Sequence, residues 1–149
     1  MTRVQHTIDV NVPVRTAYNQ WTQFEEFPRF MDNVKSVKQL DDRRLHWVAD
    51  VGGKQTEWDA EIVDQVPDRR VAWRSTAGTA NDGIVTFEPE GPDVTKVTVA
   101  IEAEPADPVE KTGSAIGMLD RQVEGDLDRF KKFIESRGAE TGAWRGEIH

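Results

Sequence analysis

The pattern of apolar and polar positions changes along the chain, and near the start it predicts a strand. Val4, His6, Ile8 and Val10 alternate with polar neighbours, which is the spacing of a strand with one buried face. We therefore predict a half-buried strand over Arg3–Asn11.

A helical pattern follows this strand. Pro13 suits the first turn of a helix because its ring holds φ near the helical value. Apolar residues then recur at steps of three and four as far as Phe24, which predicts a short amphipathic helix. Pro28 interrupts this spacing, so Glu25–Met31 is predicted to form a separate short helix or turn.

The middle of the chain returns to alternation and is divided by turn residues. Gly52-Gly53 is typical of a two-residue hairpin loop, and Pro67-Asp68 is typical of a tight turn. Six further strands are predicted, at Val34–Leu40, Arg43–Val51, Lys54–Val66, Arg70–Thr76, Ile84–Glu88 and Val94–Glu104.

A two-residue Gly-Gly loop also predicts which residues of its two flanking strands lie opposite each other. Trp47 is then paired with Trp58 on the inner face of the sheet. His46 and Asp59 fall on the other face, which is acidic and exposed to solvent. We interpret this histidine–carboxylate pair as a surface pair and not as a catalytic one.

The longest helical pattern runs over Asp107–Arg137. Asp107 is a natural N-cap, and Pro108 suits the first helical position. Gly138 is typical of a C-cap, so the helix is predicted to end there. The apolar stripe of this helix consists of Ile116, Leu119, Val123, Leu127, Phe130 and Ile134.

The length of the chain, 149 residues, is that of one domain. We predict a single domain over residues 1–138 and a flexible tail over residues 139–149. Trp144 is the residue of this tail that we expect to adhere to a surface.

Charge and cysteine content limit the classes of function. The chain has 27 Asp and Glu against 19 Lys and Arg, so its net charge of −8 repels phosphate backbones and anionic lipid surfaces. We therefore expect no general nucleic-acid binding. The absence of cysteine removes disulfides, thiolate nucleophiles and cysteine metal sites. We see no signal-peptide or membrane-spanning pattern, so we expect a cytoplasmic location and no integral membrane association.

Several segments combine into a pattern that extends over nearly the whole chain. They are Ile8-Asp9-Val10 before Val12-Pro13, Ala17 to Trp21, Phe24 with Phe27-Pro28 and Phe30, Trp58, Val66-Pro67-Asp68-Arg69-Arg70, Trp73 and the C-terminal helix. In this combination the chain resembles the START-like, helix-grip superfamily, also called SRPBCC. Within that superfamily it is most similar to the polyketide cyclase/dehydrase branch.

The resemblance implies an α+β fold. In this fold a curved antiparallel seven-stranded sheet wraps around a long C-terminal helix, and two short N-terminal helices complete the domain. The resemblance also implies a hydrophobic cavity suited to lipids, polyketides, quinones or other flat apolar molecules. Aromatic polyketide cyclases of this kind use an arginine and tyrosines inside the pocket. In this chain Gln65 stands just before Val66-Pro67-Asp68, and Tyr18 is the one tyrosine.

We expect the chain to bind a small hydrophobic molecule in a cavity between the sheet and the C-terminal helix, because its inner polar residues are few. A cyclase, aromatase or dehydratase acting on a polyketide is the first alternative. The second is a protein-interaction module that uses Phe27, Phe30 and Met31 as an apolar patch. The predicted ligand-binding side chains are Tyr18, Trp21, Phe27, Phe30, Met31, Trp47, Trp58, Trp73, Ser75, Phe87, Ile116, Leu119 and Val123.

No catalytic residue, cofactor or metal site is predicted. His6 shares a face with apolar residues, so we interpret it as a core or rim residue with its hydrogen bonds satisfied. Glu57, Asp59 and Glu61 alternate along one predicted strand. We interpret them as a solvated outer row, since the residues between them face inward.

Overall fold

The computed structural model describes the backbone of residues 2–51, 54–78, 81–103 and 113–148, and the side chains of residues 3–50, 55–78, 81–102 and 120–148. The predicted Gly52-Gly53 turn and the predicted N-cap, Asp107 with Pro108, lie outside these residues. The elements in chain order are β1 (Thr2–Val10), α1 (Val14–Trp21), a 3₁₀ helix (Phe24–Arg29), β2 (Val34–Gln39), β3 (Arg44–Val51), β4 (Lys54–Val66), β5 (Arg70–Gly78), β6 (Asn81–Gly91), β7 (Val94–Ala103) and α2 (Gly113–Arg137).

The seven strands form one curved antiparallel sheet in the order β1-β7-β6-β5-β4-β3-β2. The α+β architecture expected from the sequence is therefore confirmed. β1 and β2 lie at opposite edges although they are neighbours among the strands in sequence. α2 lies against β1, and among its described side chains Val123, Leu127, Phe130 and Ile134 are buried in the core. In the described part of the chain, neither helix is long and apolar enough to span a membrane.

The register of the β3–β4 hairpin matches the prediction made from its two glycines. Trp47 pairs with Trp58, and His46 pairs with Asp59. Because side chains alternate between faces along a strand, the two tryptophans face inward and the histidine pair faces solvent. The predicted inner and outer faces of this hairpin are thus confirmed.

α1 is shorter than its apolar pattern predicts. Pro13 occupies the N-cap position, and the helix ends at Trp21, before Phe24. Its C-cap residue, Thr22, donates a hydrogen bond from its hydroxyl to the backbone carbonyl of Asn19 at 2.6 Å. The same carbonyl also accepts from the backbone N–H of Thr22 at 3.1 Å, so it is well satisfied at this helix end.

The polar face of α1 is covered by the C-terminal tail and does not face solvent. Gln20 is fully buried, and its side-chain amide donates to Thr141 Oγ1 at 3.0 Å while accepting from the Thr141 backbone N–H at 2.9 Å. Thr22 Oγ1 accepts from the backbone N–H of Trp144 at 3.1 Å. The tail therefore supplies the partners that buried polar groups require.

The end of the tail adds a short stretch of pairing to β4. Ile148 and Gln65 exchange two backbone hydrogen bonds, at 2.8 and 3.0 Å, and Ile148 is buried. Residues 139–148 thus lie on the domain, where the sequence predicts a flexible tail over residues 139–149. The tail docks mainly through hydrogen bonds to amide and hydroxyl groups, which leave no apolar periodicity in the sequence.

Candidate functional site

Most of the aromatic residues predicted to line the ligand site pack against one another. Trp21 lies 4.9 Å from Phe130 and 5.5 Å from Phe27 between ring centroids, and Tyr18 lies 5.4 Å from Phe87. All are almost fully buried. Offset and edge-on ring pairs of this kind add about 0.5–1.5 kcal/mol each to the burial of their area. These rings therefore fasten α1 and the 3₁₀ helix to the core.

The predicted apolar patch at Phe27, Phe30 and Met31 is not a surface feature. Phe27 is 2% exposed and Phe30 is 1% exposed, because both rings turn inward from the 3₁₀ helix toward Trp21. Met31 is partly buried against the same core. The exposed apolar patch on which the protein-interaction alternative depends is therefore absent at Phe27 and Phe30.

A second cluster of buried residues lies on the inner face of β3 and β4. The Trp47 and Trp58 rings are stacked at 5.7 Å with an interplanar angle of 7°. Small side chains flank them, since Ala49 and Ala60 belong to the same cluster. Trp47 also contacts Phe27 at 5.6 Å, which joins this cluster to the main core. The two stacked rings therefore form a flat aromatic unit that is flanked by the small side chains of Ala49 and Ala60.

The indole nitrogen of Trp47 is an unusual donor. Trp47 Nε1 is buried, and it has no hydrogen-bond acceptor among the described residues. A buried polar group without a partner costs about 1–3 kcal/mol, so native proteins keep few of them. This N–H group is the part of the tryptophan pair that could recognise a polar atom of a ligand.

β5 and β6 separate from each other beside the tryptophan pair. Among the residues that the structure describes, they are paired between Arg70–Trp73 and Gly83–Thr86. Beyond that point β5 stays with β4, where Gly78 pairs with Trp58, and β6 stays with β7, where Asn81 pairs with Ala103.

Side chains bridge the gap between β5 and β6. Trp73 Nε1 donates to Asn81 Oδ1 at 3.1 Å. The Ser75 backbone N–H donates to Asp82 Oδ1 at 3.0 Å, and the Asn81 backbone N–H donates to Ser75 Oγ at 3.1 Å. We call these four residues the β5–β6 seam. Two of them, Trp73 and Ser75, belong to the predicted ligand-binding set.

The one tyrosine lies away from the seam, at the docked tail. Gln65 Nε2 donates to the Tyr18 hydroxyl at 3.0 Å, and burial raises the pKa of Tyr18. The Arg145 guanidinium lies 5.6 Å from the Tyr18 ring and pairs with Asp68 at 2.8 Å. Tyr18 and Gln65, the two residues singled out by the comparison with cyclases, therefore contact each other in a packed interior.

An ion pair that the sequence did not reveal ties α2 to the segment after the 3₁₀ helix. Arg129 pairs with Asp126 at 2.5 Å and with Asp32 at 3.3 Å, and its Nε donates to the Phe30 carbonyl at 2.9 Å. Burial raises the pKa of Asp126 to about 6, against the opposing effect of Arg129. The i,i+3 spacing of these two residues on α2 is the only signal that the sequence offers.

The two described histidines are placed as their strands predict. His46 Nδ1 lies 2.6 Å from Asp59 and Nε2 lies 3.2 Å from Glu57, on the solvent face. Hydrogen bonds to these two carboxylates raise the pKa of His46. His6 is half-buried, and its Nε2 lies 2.8 Å from Asp120 Oδ1.

The helical part of the predicted ligand site is only partly described. Val123 is 4% exposed and belongs to the main core. Ile116 and Leu119 lie in the turns of α2 whose side chains fall outside the described residues. Ligand contact at the predicted positions stays a prediction.

The polyketide cyclase / dehydrase and lipid transport family matches residues 10–132, and the chain belongs to this family. The chain is also 51% identical, over 99% of both chains, to an uncharacterized 17.2 kDa protein in the melC2-rnhH intergenic region of Streptomyces lincolnensis.

Two solved structures share the fold. A START superfamily protein from Mycobacterium smegmatis matches with a TM-score of 0.83 and 16% identity, over 92% of this chain and 99% of that one. The Zhui aromatase/cyclase from Streptomyces sp. R1128 matches with a TM-score of 0.74 and 16% identity, over 95% and 98%. The START-like architecture implied by the sequence is thereby confirmed, and the class is that of ligand-binding START and polyketide cyclase folds.

Proposed function

We propose that the chain binds a flat hydrophobic molecule carrying a carbonyl group, between the inner face of the sheet and α2. The observation that carries this proposal is the stacked Trp47–Trp58 pair with its buried, unpartnered Trp47 N–H. Ligand sites are mostly apolar and contain a few placed polar groups, which is the composition found here. Membership of the family supports the same class of ligand.

The two tryptophans have distinct parts in this proposal. Aromatic rings stack with offset faces, so a planar ligand extends the stack begun by Trp47 and Trp58. Ala49 and Ala60, which belong to the same cluster, have small side chains beside the two rings. A ligand carbonyl would accept from Trp47 Nε1 and remove the cost of the unpaired donor.

Binding is a better proposal than catalysis because the candidate acids and bases are engaged elsewhere. The Tyr18 hydroxyl is held by Gln65, and burial raises its pKa. His46 and its two carboxylates lie on the outer face. A general acid or base must reach the reacting atom, and neither group faces the tryptophan pair.

The test uses menadione, a flat quinone, and 2-methylnaphthalene, its analogue without carbonyls. The chain has no cysteine that a quinone could alkylate. Indole N–H signals of the five tryptophans are followed by NMR and assigned with single Trp→Phe variants. Menadione should shift the Trp47 signal downfield, whereas 2-methylnaphthalene should bind without that shift.

Trp47→Phe keeps a ring and removes the donor, so it isolates the hydrogen bond. It should weaken menadione binding about five- to tenfold more than it weakens 2-methylnaphthalene binding, a difference equivalent to ~1–1.4 kcal/mol, because both ligands lose the same ring area and menadione alone loses the hydrogen bond. Trp144→Phe, in the tail, is the matched control and should leave both affinities unchanged. Equal losses for both ligands in Trp47→Phe would count against the hydrogen bond. Absence of binding by any flat apolar ligand would refute the proposed function, and turnover of a poly-β-keto thioester would replace it with cyclase activity.

A further inference from the structure

His6 meets two carboxylates of α2 at the edge of the sheet. His6 lies in β1 and pairs with Val99, so its side chain is on the inner face toward α2. Asp120 and Glu124 are four residues apart, which places both on one side of the helix. One ligand atom from each of the three residues lies within 4.8 Å of the other two.

The electrostatics of this cluster favour a cation. Asp120 is paired only with His6, and Glu124 has no ion-pair partner among the described residues. Two other acidic residues of α2 are paired with a basic neighbour on the same helix, Asp126 with Arg129 and Glu135 with Lys131. Among the described residues, the cluster thus gathers two carboxylates that no lysine or arginine pairs with, in a chain whose net charge is already −8.

The donor atoms belong to the set that divalent transition metals accept. An imidazole nitrogen and carboxylate oxygens bind Zn²⁺ at roughly 2.0–2.2 Å, which puts neighbouring ligand atoms about 3.4 Å apart. The exposed Glu124 side chain can move by the small amount that this requires. The imidazole favours a transition metal over Mg²⁺ or Ca²⁺, which prefer oxygen ligands alone.

The accessibility of the cluster suits an ion that arrives from solvent. The His6 side chain is 23% exposed and that of Asp120 is 47% exposed. Three protein ligands would leave at least one coordination position to water. A sequence pattern could not reveal the cluster, because His6 and Asp120 are 114 residues apart.

His46 is surrounded by the same types of residue as His6, but their geometry does not suit a single metal ion. It also lies beside two carboxylates, but Asp59 contacts its Nδ1 and Glu57 contacts its Nε2. The two nitrogens point to opposite sides of the ring, so these carboxylates cannot share one ion with a single nitrogen. His46 is therefore a control of the same residue type within the same chain.

We propose that His6, Asp120 and Glu124 form a site for a divalent first-row transition metal, with Zn²⁺ as the test ion. The bound ion would join β1 to α2 and stabilise the folded chain by mass action.

The test is calorimetric titration of Zn²⁺ into tag-free protein that has been treated with a chelator. One ion per chain should bind, and Mg²⁺ should produce no heat. Glu124→Gln changes an exposed side chain, so folding should be preserved. This variant should bind Zn²⁺ at least tenfold more weakly. Even the loss of an outer-shell partner of a metal ligand typically costs 10–100-fold. His6→Gln should weaken it more.

Thermal unfolding provides a second measurement. Zn²⁺ should raise the unfolding temperature of the unmodified chain and of His46→Gln, and it should have little effect on Glu124→Gln. His149→Gln controls for the terminal histidine and should behave like the unmodified chain. Zn²⁺ binding that is absent, that survives Glu124→Gln unchanged, or that is lost in His46→Gln would overturn the proposal.

Discussion

At the scale of single residues, burial decides which charged groups respond to pH. Asp126 lies mostly buried on α2, with a side chain that is 14% exposed, and its pKa is raised to about 6. Burial disfavours its charged form more strongly than Arg129 favours it. This carboxyl therefore binds its proton more tightly in the folded chain than in the unfolded one.

The stability of the protein should consequently depend on Asp126. A raised carboxyl pKa stabilises the folded state below about pH 4, and this contribution is lost as pH rises through about 6. The loss should amount to about 1–3 kcal/mol. In Asp126→Asn the free energy of unfolding should decline less between pH 4 and pH 7 than in the unmodified chain. Urea unfolding at several pH values measures this. Asp128→Asn, an exposed carboxylate on the same helix, is the control and should keep the decline.

At the scale of elements, the β5–β6 seam depends on a glycine. A Cβ atom on Gly83 would lie 2.5 Å from the Trp73 ring and 2.9 Å from the Ala100 carbonyl oxygen. The ring of Trp73 therefore lies over the strand where Gly83 has no side chain. This arrangement holds Trp73 Nε1 within reach of Asn81.

Gly83→Ala should displace the Trp73 ring and open the seam. We expect a loss of about 1–3 kcal/mol in the free energy of unfolding, because the carbonyl is backbone and cannot move aside. Gly91→Ala is the matched control, since a Cβ there has nothing within 4 Å, and it should be neutral or slightly stabilising. Urea unfolding checks both variants. Equal stabilities would show that Trp73 repacks without cost.

The elements differ in how far the sequence predicted them. The β3–β4 register followed from two adjacent glycines and strict alternation, since a one-residue slip would have exposed both tryptophans. The end of α1 was predicted too late, because Phe24 continues the apolar spacing although it belongs to the 3₁₀ helix. The docking of the tail was missed because amide and hydroxyl contacts have no periodicity. The absence of charge at Asn19, Gln20 and Thr22 was the one weak signal.

The candidate site was predicted in part for similar reasons. Alternation identified Trp47 and Trp58 as inner residues, and the structure stacks them. It could not separate ring contacts of the core from a ligand surface, because both require inward apolar side chains. It also could not find the cluster of His6 with Asp120, which depends on how α2 is laid against β1.

At the scale of the whole molecule, the tail is part of the folded domain. Gln20, Thr22 and Gln65 are buried, and each is hydrogen-bonded to residues beyond Gly138. Asn19 adds two such bonds, accepting from Arg145 and donating to Glu140. Removal of these partners would leave α1 with unpaired polar groups.

Truncation after Gly138 should therefore destabilise the entire chain. We expect a loss of about 2–4 kcal/mol in the free energy of unfolding, from several buried hydrogen bonds and the apolar contact of Ile148. Thermal unfolding compares this variant with one that lacks only His149. If both variants unfold at the same temperature, the docked tail contributes no stability.

The order of strands in the sheet also bears on how the chain acquires its structure during synthesis. Among the described strands β1 pairs with β7 alone, so β1 is synthesised before its strand partner by the length of the five strands between them. Such distant pairings slow folding, because the entropy cost of closing a long loop must be met before any stabilising contact forms. During synthesis β1 therefore has no strand to pair with until β7 has emerged from the ribosome, after the hairpins that begin with β2. The sheet is completed last at the edge where its sequence begins.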